Sequence, residues 1–215
     1  MKKTFLSLVL CLLLAQVAYS QSQVIVKLSP FSLLHLNHPS LNAGVEFKPI
    51  PRMGLSADYG LSAPMFFPNR FAGKGNFRSH MLISDVRFYV DRDQSFFVGS
   101  EFFTYLMLYS KNNEYYYEDN TRIEYAQSDI TIDQYGFRLM AGYQKEYANR
   151  FVFEMFTALG PRRVHIQHNA EITQVESNVV PDYGHYPGIS DQFPGKENRL
   201  SFRIGIKLGI RMNSI

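Results

Sequence analysis

Beyond its first 20 residues the chain has no cysteine and no long apolar run, and it has no tryptophan anywhere. The single cysteine, Cys11, lies in the N-terminal stretch, with no lipoprotein-type Leu-(Ala/Ser)-(Gly/Ala) pattern before it. A mature chain without it has neither disulfides, nor thiol catalysis, nor a cysteine zinc site. Nothing after residue 20 is apolar for long enough to cross a membrane as a helix. Nor is there an excess of one charge. Lys and Arg number 22 against 19 Asp and Glu, and setting aside Lys2 and Lys3 leaves 20 − 19 = +1. Such a balance gives no argument for a nucleic-acid partner or for an acidic one.

What is present begins with export. Lys2 and Lys3 precede an apolar core, Phe5–Ala15, and Ala18-Tyr19-Ser20 is a small-x-small cleavage site before Gln21. Residues 1–20 are therefore expected to be a secretory signal peptide rather than a retained anchor helix, leaving 21–215 as one domain. Aromatics make up 15% of residues, all Tyr and Phe. The mean hydropathy of −0.18 would suit a soluble protein. A membrane β-barrel gives a similar mean, because its signal lies in alternation.

Alternation is what the chain shows. In "LSFRIGIKLGIRM" every even position from Leu200 to Met212 is apolar, and every odd one from Ser201 to Arg211 is small or charged. Eight strand-like segments follow this rule: about 23–34, 41–48, 53–61, 78–90, 95–108, 131–144, 151–162 and 200–212. The first is the least regular, because Pro30 interrupts it. Short connections (49–52, 91–94, 145–150) alternate with long ones (62–77, 109–130, 163–198), and 35–40 is short for its side. The pattern predicts an all-β fold, an eight-stranded antiparallel up-and-down transmembrane β-barrel. Its short turns would be periplasmic and its long loops extracellular.

In such a barrel the apolar face meets lipid and the polar face fills the interior. Parity sends Glu46, Asp58, Asp85, Glu101 and Glu154 inward, together with Arg87, Arg138, Arg203, Lys207 and Arg211, and buried charges of both signs are expected to pair there. Asp133 and Arg163 face outward, at strand ends on the loop side. Phe88, Tyr89, Phe96, Phe97, Tyr143 and Phe151 cluster around short turns, and Tyr59 and Tyr135 lie toward the loops, an arrangement like two interfacial girdles. A soluble lipocalin-type barrel or a sandwich would bury the apolar face instead. The loop lengths, the aromatics and the matched inward charges favour the membrane form.

The stretches "DVRFYV" (85–90), "FFVGSEFF" (96–103), "GFRLMAGYQ" (136–144) and "FVFEMFTALGPR" (151–162) resemble a family of small outer-membrane β-barrel proteins common in the Bacteroidetes, with an OmpA/OmpX-like eight-stranded barrel. The likeness covers most of the mature chain, and the final residue, Ile215, departs from the aromatic that many barrels carry there. The resemblance implies a fold and a location in the outer membrane of a Gram-negative bacterium; members of the family mostly lack a known activity.

All six histidines, His35, His38, His80, His165, His168 and His185, fall in or beside expected loops. The H-x-x-H pairs 35/38 and 165/168 have a spacing that suits a metal on a turn, but no cysteine or fixed carboxylate completes a ligand set, so no metal and no cofactor are expected. Ser79-His80 is no catalytic pair, since neighbours on a strand face opposite ways. The expected function is non-enzymatic: a structural or accessory subunit of a larger outer-membrane assembly for secretion or uptake. Its partners would be outer-membrane lipid and lipopolysaccharide and other outer-membrane proteins, with no nucleic acid. Contacts are expected from Tyr-rich loops, through Tyr115, Tyr116, Tyr117, Tyr183 and Tyr186. An outer-leaflet lipid-modifying enzyme and a narrow solute channel are the alternatives.

Overall fold

A computed structural model describes residues 23–30, 40–62, 73–118, 121–148, 150–177, 179 and 190–212. The expected signal peptide, His35, His38, His185, Tyr183 and Tyr186 lie outside the described residues. Eight strands account for nearly all of what is described: β1 Gln23–Ser29, β2 Ser40–Ile50, β3 Met53–Ser62, β4 Gly75–Tyr89, β5 Phe96–Glu118, β6 Thr121–Tyr147, β7 Phe151–Ser177 and β8 Gly195–Met212. Each pairs antiparallel with the next, and β1 pairs with β8, so the sheet closes on itself. No α-helix occurs among the described residues.

The register fixes the shape of the ring. A row of partners runs Val24, Phe47, Leu55, Val86, Ser100, Leu139, Leu159 and enters β8 at Phe202. Val24 itself pairs with Met212. The row thus returns offset by 212 − 202 = 10 residues. Ten strand rises of ~3.3 Å against eight strand spacings of ~4.8 Å tilt the strands by roughly 40°.

Strand lengths differ from the sequence expectation most on one side; at the turn end β2 runs on only to Ile50 and β6 to Tyr147. Of the stretch expected as a loop at 109–130, residues 109–118 and 121–130 are strand: β5 runs on to Glu118 and β6 begins at Thr121, paired through Glu118 and Thr121. Likewise β7 continues to Ser177 and β8 begins at Gly195. Past Ser110 and Asp129 the chain builds a three-stranded extension of β5, β6 and β7 that rises above the ring. At the opposite end the turns are tight. Asp91 ties one of them, its carboxylate accepting from the Ser95 and Phe96 amides at 2.9 and 2.8 Å.

The ring's interior is where the charges lie. Lys27 on β1 reaches Glu46 on β2 and Glu154 on β7, and donates to Gln144 at 2.8 Å. Arg87 clamps Asp85 with two nitrogens at 2.8 and 2.7 Å and meets Glu154 at 2.9 Å. Lys207 pairs with Asp58. Higher up, Glu101 is held between Arg138 at 2.7 Å and Arg203 at 2.6 Å. Every one of these side chains is almost fully buried. Aromatic rings separate the ion pairs: the Arg138 guanidinium lies 3.8 Å from the Phe103 centroid and Arg87 4.7 Å from Phe97. Above them Tyr105, Met107, Tyr109, Ile130, Ile132, Val164 and Ile166 form an apolar plug.

Two expectations change here. Tyr89 and Phe97 are not girdle residues; they point inward, 2% and 1% exposed, and pack edge to face at 5.9 Å. Arg211 does not join the buried network. It sits at the turn end and pairs with Glu146 at 3.1 Å in a partly exposed position.

The two settings predict different costs. Glu154→Ala leaves Lys27 and Arg87 buried and short of a carboxylate, and should destabilise by about 3–5 kcal/mol. Glu146→Ala removes only a solvated pair and should cost under about 1 kcal/mol. Urea unfolding midpoints of the two variants check the contrast.

Candidate functional site

Two features could carry function: the outer face of the ring and its loop end.

On the outer face, large apolar side chains stand exposed on every strand, among them Val26, Val45, Leu55, Leu82, Val98, Leu139, Met155 and Ile204, the last at 70%. With the tilt above, each residue climbs roughly 2.5 Å along the ring axis and each strand-to-strand step roughly 3 Å. Placed on that scale, the outward apolar residues span roughly 25 Å, from Phe151 and Val24 to Leu106 and Leu200. Phe47, Phe88, Phe96, Tyr143, Phe151 and Phe153 fall in a band about 7 Å tall at its lower edge. Tyr59, Phe102, Phe137, Phe202 and Tyr135 lie in its upper half. Among the described residues no Asp, Glu, Lys or Arg points outward between Lys145 at the bottom and Arg163, Arg78 and Asp133 at the top.

At the loop end, residues 190–194 cross from β8 to the edge of β5. The Tyr117 amide donates to the Gln192 carbonyl at 2.8 Å, and Phe193 stacks on Tyr117 at 5.6 Å. Asp191 is the anchor. Its carboxylate accepts from the Tyr109 hydroxyl at 2.6 Å and from Lys111 at 2.9 Å. Its carbonyl oxygen lies 2.6 Å from His168 Nε2. A carbonyl only accepts, so Nε2 carries the proton, and Nδ1 accepts from the Ser128 hydroxyl at 3.1 Å. The Tyr116 ring stacks on His168 at 4.4 Å. Lys74 lies 4.7 Å from the Tyr109 ring centroid. Where β8 leaves β7, a cleft of about 490 Å³ opens beside His168, Tyr116, Gln167 and Asn169.

These groups titrate according to their surroundings. Burial lowers the His168 pKa, and the Asp191 carbonyl and carboxylate offset this only in part. Burial raises Asp191, but the Tyr109 hydroxyl and the Lys111 ammonium outweigh it and leave the carboxyl below its ordinary value.

Of the residues expected from sequence, Glu46, Asp58, Asp85, Arg87, Glu101, Arg138, Glu154, Arg203 and Lys207 come together inside the ring. Lys27 and Lys48 belong with them and were not singled out; Lys48 lies 3.9 Å from the Tyr89 ring centroid. Tyr115, Tyr116 and Tyr117 are not in a loop but on β5. Tyr116 is 7% exposed on the inner face, and Tyr115 and Tyr117 pack edge to face at 5.5 Å on the other. His165 and His168 lie on β7, where a spacing of three puts them on opposite faces, so they do not share a metal. His80 faces outward and shares a 2.7 Å hydrogen bond with Tyr59.

The docking of 190–194 should be pH-sensitive, with one sign. His168 and Asp191 both have lowered pKa values when docked, so both release protons on docking and both stabilise it above their ordinary values. Docking should be intact above about pH 6.5 and weaken as the pH falls below it, through His168 first and Asp191 nearer pH 4. Amide exchange of Tyr117, corrected for its intrinsic pH dependence, should show protection falling between pH 7 and 5, and His168→Gln should flatten that change. Compared with known proteins, the chain matches no family model, no curated protein and no solved structure.

Proposed function

We propose that the chain is a small transmembrane β-barrel of a Gram-negative outer membrane, exported by a cleaved N-terminal signal, and that its role is structural or accessory within a larger outer-membrane assembly. The observation that carries this reading is the outer belt: roughly 25 Å of apolar surface without an outward charge, wrapped around an interior filled with ion pairs. A soluble barrel has the reverse arrangement, since water on the outside favours the polar face there. The aromatic band at the lower edge of the belt fits a headgroup interface. The termini and tight turns would then lie on the periplasmic side and the three-stranded extension outside the cell.

The interior argues for a plugged barrel over a solute channel. Arg87, Arg138 and Arg203 are each held by carboxylates, and an apolar cluster from β5, β6 and β7, with Phe77 and Met81 of β4, lies above them. Ser128 and His168 form a pair that an outer-leaflet enzyme could use, but Ser128 is fully buried, and the cleft beside His168 is not lined by it. The pair serves to hold residues 190–194 in place. The extension offers the exposed Ile172 and Val175, register partners of Tyr125 and Ile123 on one face, as contact surface for a protein partner.

The membrane reading is tested by depth. Ile204→Arg places a cation at mid-belt and should cost about 2–4 kcal/mol on folding into lipid vesicles, whereas Asn198→Arg, above the belt, should cost about 0–1. Equal tolerance at both positions would sink the membrane reading. The accessory role is tested by mild detergent extraction at native expression level, with a tag in the Asp91–Ser95 turn. A stoichiometric outer-membrane partner is the expected result; a barrel recovered alone overturns that role.

A further inference from the structure

We infer that the outward faces of β7 and β8, just above the apolar belt, form a binding site for the phosphate of an anionic lipid headgroup in the outer leaflet. The inference rests on the membrane reading above and adds a partner and its site.

Arg163 and Lys196 are both exposed and both point outward. Arg163 is the register partner of Asn198, and His165 that of Lys196. The two cations are therefore diagonal neighbours on adjacent strands, with Cβ atoms about 7 Å apart, close enough for one phosphate to bridge them. Tyr135 stands directly opposite Arg163 on β6. Among the described residues neither cation takes part in an ion pair. Asp133, the register partner of His165, is the diagonal neighbour of Arg163 on the β6 side as Lys196 is on the β8 side, but it makes no ion pair with Arg163. Two unpartnered like charges side by side are unfavourable for the fold alone, and an anion bound between them removes that cost. An arginine fork beside a lysine point charge suits a phosphate.

The height selects the lipid. Arg163 lies two residues above Pro161, whose register partner is Leu200, the last apolar residue of β8 before the polar segment. Directly below are Leu159, Leu200, Phe202 and Ile204, exposed by 48%, 69%, 59% and 70%, a bed for acyl chains. At a comparable height β5 presents Leu106 and Leu108. The other outward arginine there, Arg78, is on β4, three strands away, with Leu108 as its register partner.

The test uses the full mature chain in nanodiscs of phosphatidylcholine doped with lipid A or with its dephosphorylated form, and counts retained lipid by native mass spectrometry. Wild type should retain the phosphorylated lipid about tenfold over the dephosphorylated one, and the R163A/K196A double variant should lose that preference, on the scale expected of two cations near an anionic surface. R78A, far around the ring, should keep it; circular dichroism and protease resistance confirm that each variant is folded. Equal retention of both lipids by wild type overturns the site while leaving the barrel reading intact. Inorganic phosphate displacing lipid A at similar concentration would make this a free-anion site and also overturns the lipid assignment. A chain that folds without detergent and does not enter nanodiscs overturns the membrane reading and this inference with it.

Discussion

The rest of the structure depends on the ion cluster of Lys27, Glu46, Arg87 and Glu154 at the middle of the ring. Eight strands tilted by roughly 40° enclose a ring only about 8 Å in backbone radius. Side chains from strands far apart around the ring must then touch, and this is how Arg87 on β4 reaches Glu154 on β7 and Lys207 on β8 reaches Asp58 on β3, each pair three strands apart. Taken one at a time such charges would be too costly to bury. Taken together, with Tyr89 donating to Glu46 at 2.5 Å and Gln144 closing the set, they satisfy one another except at Glu154 Oε1, which has no hydrogen-bond partner among the described residues. A cluster with members from five strands also specifies which strands close on which, because a register slip of one residue would turn each charge out of the ring.

The same geometry explains the small residues. Inward positions alternate between long ionic or aromatic side chains and glycine, since both cannot be large in so narrow a bore. A Cβ on Gly205 would sit 2.3 Å from the Phe156 ring, and one on Gly142 would sit 2.4 Å from Phe97. Those rings in turn cover cations, Arg203 over Phe156 at 4.8 Å and Arg87 over Phe97 at 4.7 Å. Glycine, ring and cation form one packing unit, and it shields the ion pairs from water above and below.

Strand identity and facing were legible where the two faces differ in kind. Within the belt one face is apolar and the other charged or small, so period two is visible and Glu46, Asp85, Glu101 and Lys207 could be placed from parity alone. Above the belt that contrast disappears. In "YSKNNEYYYE" and "TRIEYAQSD" both faces of the strand carry polar or tyrosine side chains, so the stretch reads as a loop although β5 and β6 pair through it. The irregular register around Asn113, with its φ of 53°, blurs the period further. Lys27 was missed for a different reason. Its parity with Ile25 and Ser29 is clear, but Pro30 and the short β1 made that segment look weak. The Asp191 anchor had no sequence signal: its partners Tyr109, Lys111 and His168 come from 23 to 82 residues away and meet only because the ring closes.

The strand lengths give the ring a direction. β1 has 7 residues while β6 and β7 have 27 each, and the difference is not spread evenly around the ring. A tilted row of partners climbs from β1 toward β8, and among the described residues the strands reach furthest at β5–β7, where the extension continues that rise. Residues 190–194 lean back from β8 to β5 across the mouth and are tied there by Asp191, which ties the high wall together at its top. The outward Arg163 stands just above the upper edge of the belt and Lys196 two residues higher, beside His165. The outward cations, the cleft and the extension therefore share one sector of the ring. The tilt of the row sets this asymmetry, because each step around the ring raises the register by roughly 3 Å and β5–β7 extend the rise where the Asp191 contacts tie it.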